Sequence, residues 1–406
     1  MSKKIVIVSS GQPSLNPRLV KEADALSAAG YKVTVLYAYW NNWGTKYDEQ
    51  LLAKKKWTAI CVGGDPEHQW FTWSLSRIMH KLSGYIVHKM GNYEFLADAA
   101  VARSSFFLTR AAKKHEADLY IGHNLGALQA VAEAAKLYKK PCGFDAEDFH
   151  RQEVNDEIDS FHYKLCKYLE DKYFPFLNYL TASSPFIAEQ YAGLYNRQVT
   201  SILNVFPKAA TRSFDKEDGP LKLFWFSQTV GPNRGLEMVI EAIRLANAAC
   251  ELHILGQSPE GYKQHFIELA IASGLTSDAL YFYEPVNPDQ LVEMATRFDI
   301  GLASETGFCL NNKLALSNKL FTYVQSGLVL AASNTTAQKW FIEQYPQTGK
   351  LYNDASQLSG ILTELNRNRG ALLNIKRHSF EAGQTQLNWE HESQKFLTII
   401  KDILAA

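Results

Sequence analysis

Apolar residues come along this chain in two alternating rhythms, short unbroken runs and stripes at helical spacing. Lys4-Ile5-Val6-Ile7-Val8-Ser9-Ser10 is a β-branched run that predicts a buried strand. A polar loop from Gly11 to Pro17 follows, and Leu19, Ala23, Leu26 and Ala29 then recur on one helical face up to Gly30. Lys32 to Tyr37 predicts the next strand, so the first ~37 residues form a βαβ unit whose parallel strands need a right-handed crossover. The alternation continues. Residues 57–63 predict a strand, and Ala117 to Asn124 a strand ending in His123-Asn124, followed by a helix from Leu125 to Tyr138. Pro141 to Phe144 predicts a strand that ends on Asp145-Ala146-Glu147-Asp148. Ile158 to Phe174 predicts a helix, Asn178 to Ala182 a strand, Ser183-Ser184-Pro185 a helix cap, and Thr200 to Pro207 a last strand.

The polar stretch Lys208 to Pro220 reads as a hinge, after which the pattern restarts. Strands are predicted at Leu221–Phe226, Cys250–Leu255, Tyr281–Tyr283, Asp299–Ala303 and Leu328–Ala332, with a helix from Gly235 to Ala249 after the first. A final helix is predicted from Gln386 to Leu404. The pattern predicts an α/β protein of two doubly wound, Rossmann-like domains facing across a cleft. The expected divisions are a first domain over 1–207, a second over 208–384, and a terminal helix over 385–406.

The 406 residues suit two cores of about 200 residues each. Lys plus Arg equals Asp plus Glu at 42 each, so no bulk field draws the chain to nucleic acid. Five dispersed Cys, without a CxxC pair or metal-ligand spacing to His, point to reduced thiols and to no metal site. No leader pattern opens the chain, and no apolar run reaches the roughly 20 residues needed to cross a bilayer. A cytoplasmic location is therefore expected. Residues 70–93 interleave aromatics with His80, Lys81, His88 and Lys89. They read either as an amphipathic helix packed on its own domain or as a peripheral contact with the inner face of the cell membrane.

Candidate chemistry gathers where predicted strands end. Ser317-Asn318-Lys319 opens a helix that stops at Gly327, standing between two strands of one sheet. A cation in a first turn is disfavoured by the helix dipole unless an anion bridges it, and a diphosphate is a common bridge. A solvated lysine near a helix start is the competing reading. The first loop lacks a GxGxxG fingerprint, Gly11 being its only glycine, which argues against a dinucleotide-dependent dehydrogenase. That loop instead offers Ser9, Ser10, Asn16 and Arg18 at the carboxyl end of a strand. His123 and the carboxylates Asp145 and Glu147 fall at the carboxyl edges of two successive strands, facing the same crevice.

Taken in order, these segments resemble the retaining, nucleotide-sugar-dependent glycosyltransferases of the B fold, in particular the family 4-like group that includes sucrose synthases and many bacterial polysaccharide and lipid glycosyltransferases. The segments are Leu180-Thr181-Ala182-Ser183-Ser184, Ile202-Leu203-Asn204-Val205, Phe226 to Gly235, His253 to Gly256, Asp299 to Leu302, Ser317 to Tyr323 and Asn388-Trp389-Glu390. The resemblance covers nearly the whole chain. It implies a hexosyltransferase-type enzyme (EC 2.4) taking a nucleoside-diphosphate sugar as donor and a saccharide or lipid-linked acceptor, in polysaccharide or glycolipid synthesis. Transfer would proceed with retention and without a metal or other cofactor. Donor contacts are expected from Gly11, Gln228, Gly231, Arg234, Gly235, Glu305, Asn318, Lys319 and Thr322, with Arg234 and Lys319 as the cations that hold the leaving diphosphate. His123, Asp145 and Glu147 are the expected catalytic and acceptor-orienting groups.

Two positions depart from the family pattern: Gln228 stands where Arg is frequent, and Thr322 where a Glu often holds the ribose. Loss of one such contact removes about 1–3 kcal/mol of binding. A sugar-nucleotide epimerase and a non-catalytic nucleotide-binding partner of another transferase are the alternatives.

Overall fold

The computed structural model describes residues 2–91, 93–214, 218–259, 261–276 and 279–405. Residue 92, in the aromatic and basic segment, and residues 215–217, in the expected hinge, lie outside the described residues. The chain divides into two compact units, Met1–Leu203 with Ser393–Ala406, and Asn204–Glu392.

The first unit carries β1 (Lys4–Ser9), β2 (Lys32–Ala38), β3 (Thr58–Val62), β4 (Leu119–His123), β5 (Cys142–Ala146), β6 (Tyr179–Ala182) and β7 (Thr200–Ser201). They form one sheet in the order β3-β2-β1-β4-β5-β6-β7, every neighbouring pair parallel. The second unit carries β8 (Leu221–Thr229), β9 (Cys250–Gln257), β10 (Leu280–Tyr283), β11 (Ile300–Ala303), β12 (Val329–Ser333) and β13 (Gly349–Tyr352). Their order is β10-β9-β8-β11-β12-β13, again parallel throughout. Each sheet is wound outward in both directions from one central pair, β1 beside β4 and β8 beside β11. At such a reversal the connections diverge to opposite faces and leave a crevice at the carboxyl ends of the strands, where open α/β sheets bind ligands.

The short apolar runs became strands because each is covered on both faces; every residue of β4, β5, β6, β11 and β12 is buried. The run Thr200–Pro207 corrects the expectation. Only Thr200 and Ser201 are in register with β6, and the Ile202 amide still donates to the Ala182 carbonyl at 2.9 Å, whereas Leu203 and Val205 are buried beyond the ladder. Their apolar character reflects burial without sheet pairing. Helix starts follow the capping residues in the sequence: Asn16 accepts from the Leu19 amide at 3.0 Å, and Ser184 from the Ile187 amide at 3.1 Å.

One packing contact fixes the part of the second unit that matters most. The Asn318–Ser326 helix lies on β11 with Tyr323 directly over Gly301, and Tyr323 Oη donates to the Leu302 carbonyl at 3.2 Å. A Cβ at position 301 would lie 2.2 Å from the Tyr323 ring, so only glycine lets the helix sit this close. Gly301→Ala is expected to push the helix outward and destabilise the unit by about 1–3 kcal/mol, measured as a lower urea midpoint with an unchanged slope.

Candidate functional site

At the β8/β11 crevice two loops are laid against each other. The ladder between β8 and β9 is irregular between Phe226 and Thr229, and Gln228 and Thr229 emerge exposed from the sheet. The chain then turns through Val230 to Arg234 and enters the Leu236–Leu245 helix at Gly235. Gly235 has φ +74°, and a Cβ there would stand 2.6 Å from the Ser304 carbonyl oxygen, so both conformation and space require glycine. Ser304 Oγ donates to the Arg234 carbonyl at 2.7 Å, which fastens the Arg234 loop to the loop after β11. A Cβ built on Gly231 would meet no protein atom within 4 Å.

The next residue, Glu305, holds Lys319. The Lys319 Nζ lies 2.8 Å from Glu305 Oε1, with both side chains nine-tenths buried, and Asn312 Nδ2 donates to the other carboxylate oxygen at 3.1 Å. The ammonium also sits 5.5 Å from the Trp225 ring centre, over its face. Burial alone would raise the Glu305 carboxyl, but the Lys319 charge and the hydrogen bonds from Lys319, Asn312 and Ser317 bring it down to about 2. The anion that a first-turn lysine demands is therefore supplied, in this structure, by the chain itself. The Arg234 backbone and Gly235 thus lie against Ser304, one residue before the Glu305 that holds Lys319. Glu305, Gly235, Lys313, Ser333, Thr336 and Tyr352 are among the residues lining a cavity of about 350 Å³.

The remaining expected donor residues are placed differently. Asn318 is exposed at the head of the helix, one residue before Lys319. Thr322 is fully buried within a helix whose residues from Lys319 to Ser326 are all buried, and its Oγ1 has no hydrogen-bond partner among the described residues. The helix is enclosed in the unit from Lys319 onward, and the residue one turn after Lys319 lies within it.

The β1/β4 crevice of the first unit holds a network of buried charges. Ser9 is in register with His123, its Oγ donates to Asn124 Oδ1 at 3.0 Å, and the Gly11 amide donates to Ser9 Oγ at 3.1 Å. His123 Nε2 is 3.0 Å from Glu22 and its Nδ1 3.8 Å from Asp145. Arg18 grips Asp145 as a fork, through Nε to one oxygen and through Nη2 to the other at 2.7 Å; Thr181 Oγ1 adds a donor at 2.6 Å. Burial opposes charge on Asp145, yet Arg18 and His123 hold its carboxyl below the ordinary range, while Glu22 and Asp145 outweigh burial and raise His123. His123 and Asp145 are each only 1% exposed, so neither presents its side chain to solvent.

Glu147, two residues past Asp145, is half-buried, and burial together with Asp148 raises its carboxyl to about 7. Glu22, His123 and Asp145 bring three ligand atoms within 4.8 Å of one another, but the cation on Asp145 is the Arg18 guanidinium. Glu22 is a member of this network that the sequence pattern does not mark as a site residue; its i,i+4 spacing from Arg18 on the Pro17–Ala28 helix is the signal for it.

In its fold this chain is similar to solved glycosyltransferases. HepE of Anabaena, in complex with UDP, superposes with a TM-score of 0.68 at 13% identity, over 98% of this chain and 100% of that one. Sucrose-phosphate synthase of Thermosynechococcus elongatus gives 0.65 at 13% identity, over 99% of each chain. A point mutant of TarM of S. aureus, in complex with Fondaparinux, alpha-GlcNAc-glycerol and UDP, gives 0.68 at 11% identity, over 98% of this chain and 99% of that one. No family model and no curated protein matches the sequence. The two parallel sheets are those of the glycosyltransferase B fold, with its two Rossmann-like domains.

Breaking the Lys319–Glu305 pair from one side should be costly. Lys319→Ala leaves a buried carboxylate without its cation and is expected to lower stability by about 3–5 kcal/mol, most of which Glu305→Gln restores in the double variant, as read by urea unfolding. Because the folded Glu305 value of about 2 lies below its ordinary 4.5, its contribution is complete above 4.5 and is lost as pH falls toward 2. Glu305→Gln should flatten that part of the stability profile.

Proposed function

We propose that the protein is a retaining glycosyltransferase that moves a sugar, in the manner of a hexosyltransferase, from a nucleoside-diphosphate sugar to an acceptor hydroxyl. The observation that carries this reading is the pairing of Lys319 with Glu305 directly beside the Arg234 loop, at the crevice of a fold whose solved examples include complexes with UDP. Developing charge on a leaving diphosphate needs preorganised donors. Arg234, Lys319 and the amides at the start of the Leu236–Leu245 and Asn318–Ser326 helices can provide them without a metal. Gly231 leaves room for a phosphate to approach the backbone. Glu305 then exchanges its hold on Lys319 for sugar hydroxyls as the diphosphate takes up the ammonium.

In the transfer step the bond from the anomeric carbon to the phosphate oxygen breaks, and its electron pair stays on that oxygen. The acceptor oxygen bonds the same face of the carbon, and its proton passes to the departing phosphate. No carboxylate nucleophile is required, which suits a unit where Asp145 is locked by Arg18. Glu147 is the carboxylate assigned to acceptor hydroxyls, since it is half-buried and raised to about 7. His123 and Asp145 act as positioning residues that hold the ends of β4 and β5. A saccharide or lipid-linked acceptor in polysaccharide or glycolipid synthesis fits this chemistry.

One observation favours a second reading. Thr322 and Gln228 stand where the family often has a ribose-holding Glu and an Arg, and Thr322 is buried, which favours a protein that binds nucleotide without turnover.

A thermal-shift panel of nucleoside diphosphates and their sugars, followed by product analysis, tests both. A cognate ligand at one hundred times its Kd is expected to add about 2.7 kcal/mol of stability, and Arg234→Ala to remove most of that shift while leaving the ligand-free Tm unchanged. Transfer with the donor's anomeric configuration supports the first reading, and binding without donor turnover the second. No shift with any diphosphate would overturn both.

A further inference from the structure

The Trp70–Met90 helix is built inside out. Its buried residues are Ser76, Ser83 and Val87. Ser76 Oγ accepts from the Arg103 guanidinium at 2.9 Å, and His80 Nδ1 lies 2.8 Å from the Ala99 carbonyl, so this small, polar face is the one fastened to the unit. Val87 is buried with the two serines and Trp73, Met79 and Ile86 are half-buried, but five large apolar residues point the other way. Phe71, Leu75, Ile78, Leu82 and Tyr85 follow one another in steps of four and three, which places them on a single line along the helix. All five are exposed, Phe71 at 74%, Ile78 at 56%, Leu82 at 57% and Tyr85 at 65%. Phe95, on the next helix, is 76% exposed. A contiguous apolar patch of this kind costs free energy in water and marks a surface that something covers.

Charge identifies what covers it. The 21 residues contain Arg77, Lys81 and Lys89 and not one Asp or Glu. Arg77 and Lys81 are exposed alongside the apolar line, and Lys89 continues it. A second copy of the chain packed on this face would bring like charges together with no carboxylate on either helix to answer them. An anionic lipid surface answers both features at once, taking the apolar line into the acyl boundary while the basic side chains reach headgroup phosphates. The helix is about 31 Å long and lies along the surface; no helix among the described residues is long and apolar enough to cross a membrane.

We propose that the Trp70–Met90 helix is a docking face for anionic lipid bilayers, with Phe71, Leu75, Ile78, Leu82 and Tyr85 as the inserted residues and Arg77, Lys81 and Lys89 as the headgroup contacts. The proposal is independent of the donor chemistry.

Co-sedimentation of the full-length protein with vesicles tests it, comparing pure phosphatidylcholine with vesicles containing about 30% phosphatidylglycerol. The wild-type chain is expected to bind the anionic vesicles at least tenfold more tightly and to be released by high salt. Ile78→Glu with Leu82→Glu should reduce that binding at least tenfold, and Arg77→Glu with Lys81→Glu should abolish the preference for anionic lipid. Both variants change exposed side chains, so their Tm and their response to the nucleotide panel should match wild type. No binding to anionic vesicles, or equal binding by the Ile78→Glu, Leu82→Glu variant, overturns the proposal. So does a wild-type dimer in sedimentation equilibrium that this variant dissociates, because a second copy then covers the face.

Discussion

A cation in the first turn of a buried helix is unstable without a counter-charge, and the second unit is arranged around that constraint. Lys319 cannot retreat into solvent, because Gly301 lets Tyr323 seat the helix tightly on β11. Glu305 meets it from the loop after β11, and the same loop is fastened to the Arg234 carbonyl through Ser304. A desolvated pair of this kind adds little net stability over apolar packing, yet losing one partner is costly. Such a pair is therefore a suitable place to hold a charge ready for a ligand: a diphosphate can substitute for the carboxylate without leaving the ammonium bare.

The first unit uses the same device with a different outcome. There the central carboxylate, Asp145, is taken up by Arg18 in fork geometry, by Thr181 and by the His123 side of the network. Lys21 is buried in the same region, and burial together with Arg18 lowers it to about 7, against Glu147 raised to about 7 nearby. Buried charge at one crevice thus stabilises loop ends, while at the other it stands beside an accessible cavity. The difference lies in access, since His123 and Asp145 are sealed from solvent whereas Glu305 lines the cavity.

Much of this architecture could be read from the sequence, and the reasons it could are physical. Parallel strands buried on both faces write themselves as apolar runs, so β1, β2, β4, β5, β11 and β12 were visible, and with them the strand ends that carry His123, Asp145 and Glu305. β13, Gly349-Lys350-Leu351-Tyr352, was not legible, because four residues with a glycine and a lysine carry no period. The lysine at the helix start was legible from Ser317-Asn318-Lys319; its bond to a carboxylate fourteen residues earlier was not, since loop conformation leaves no periodic trace. Helix rotation was equally hidden. The sequence marked an amphipathic helix within residues 70–93 without saying which side faced the unit, and the resemblance put a donor contact at position 322, where the chain buries a threonine.

The claim on which the donor-site account turns is that Glu305 and a diphosphate compete for one ammonium. Calorimetric titration of UDP into wild type and the Glu305→Gln variant measures this most directly, because UDP lacks the transferable sugar whose hydroxyls Glu305 is proposed to contact. Removing the competitor is expected to tighten UDP binding several-fold, roughly 1 kcal/mol. An unchanged or weaker affinity in the variant, with its folding intact, would contradict the account.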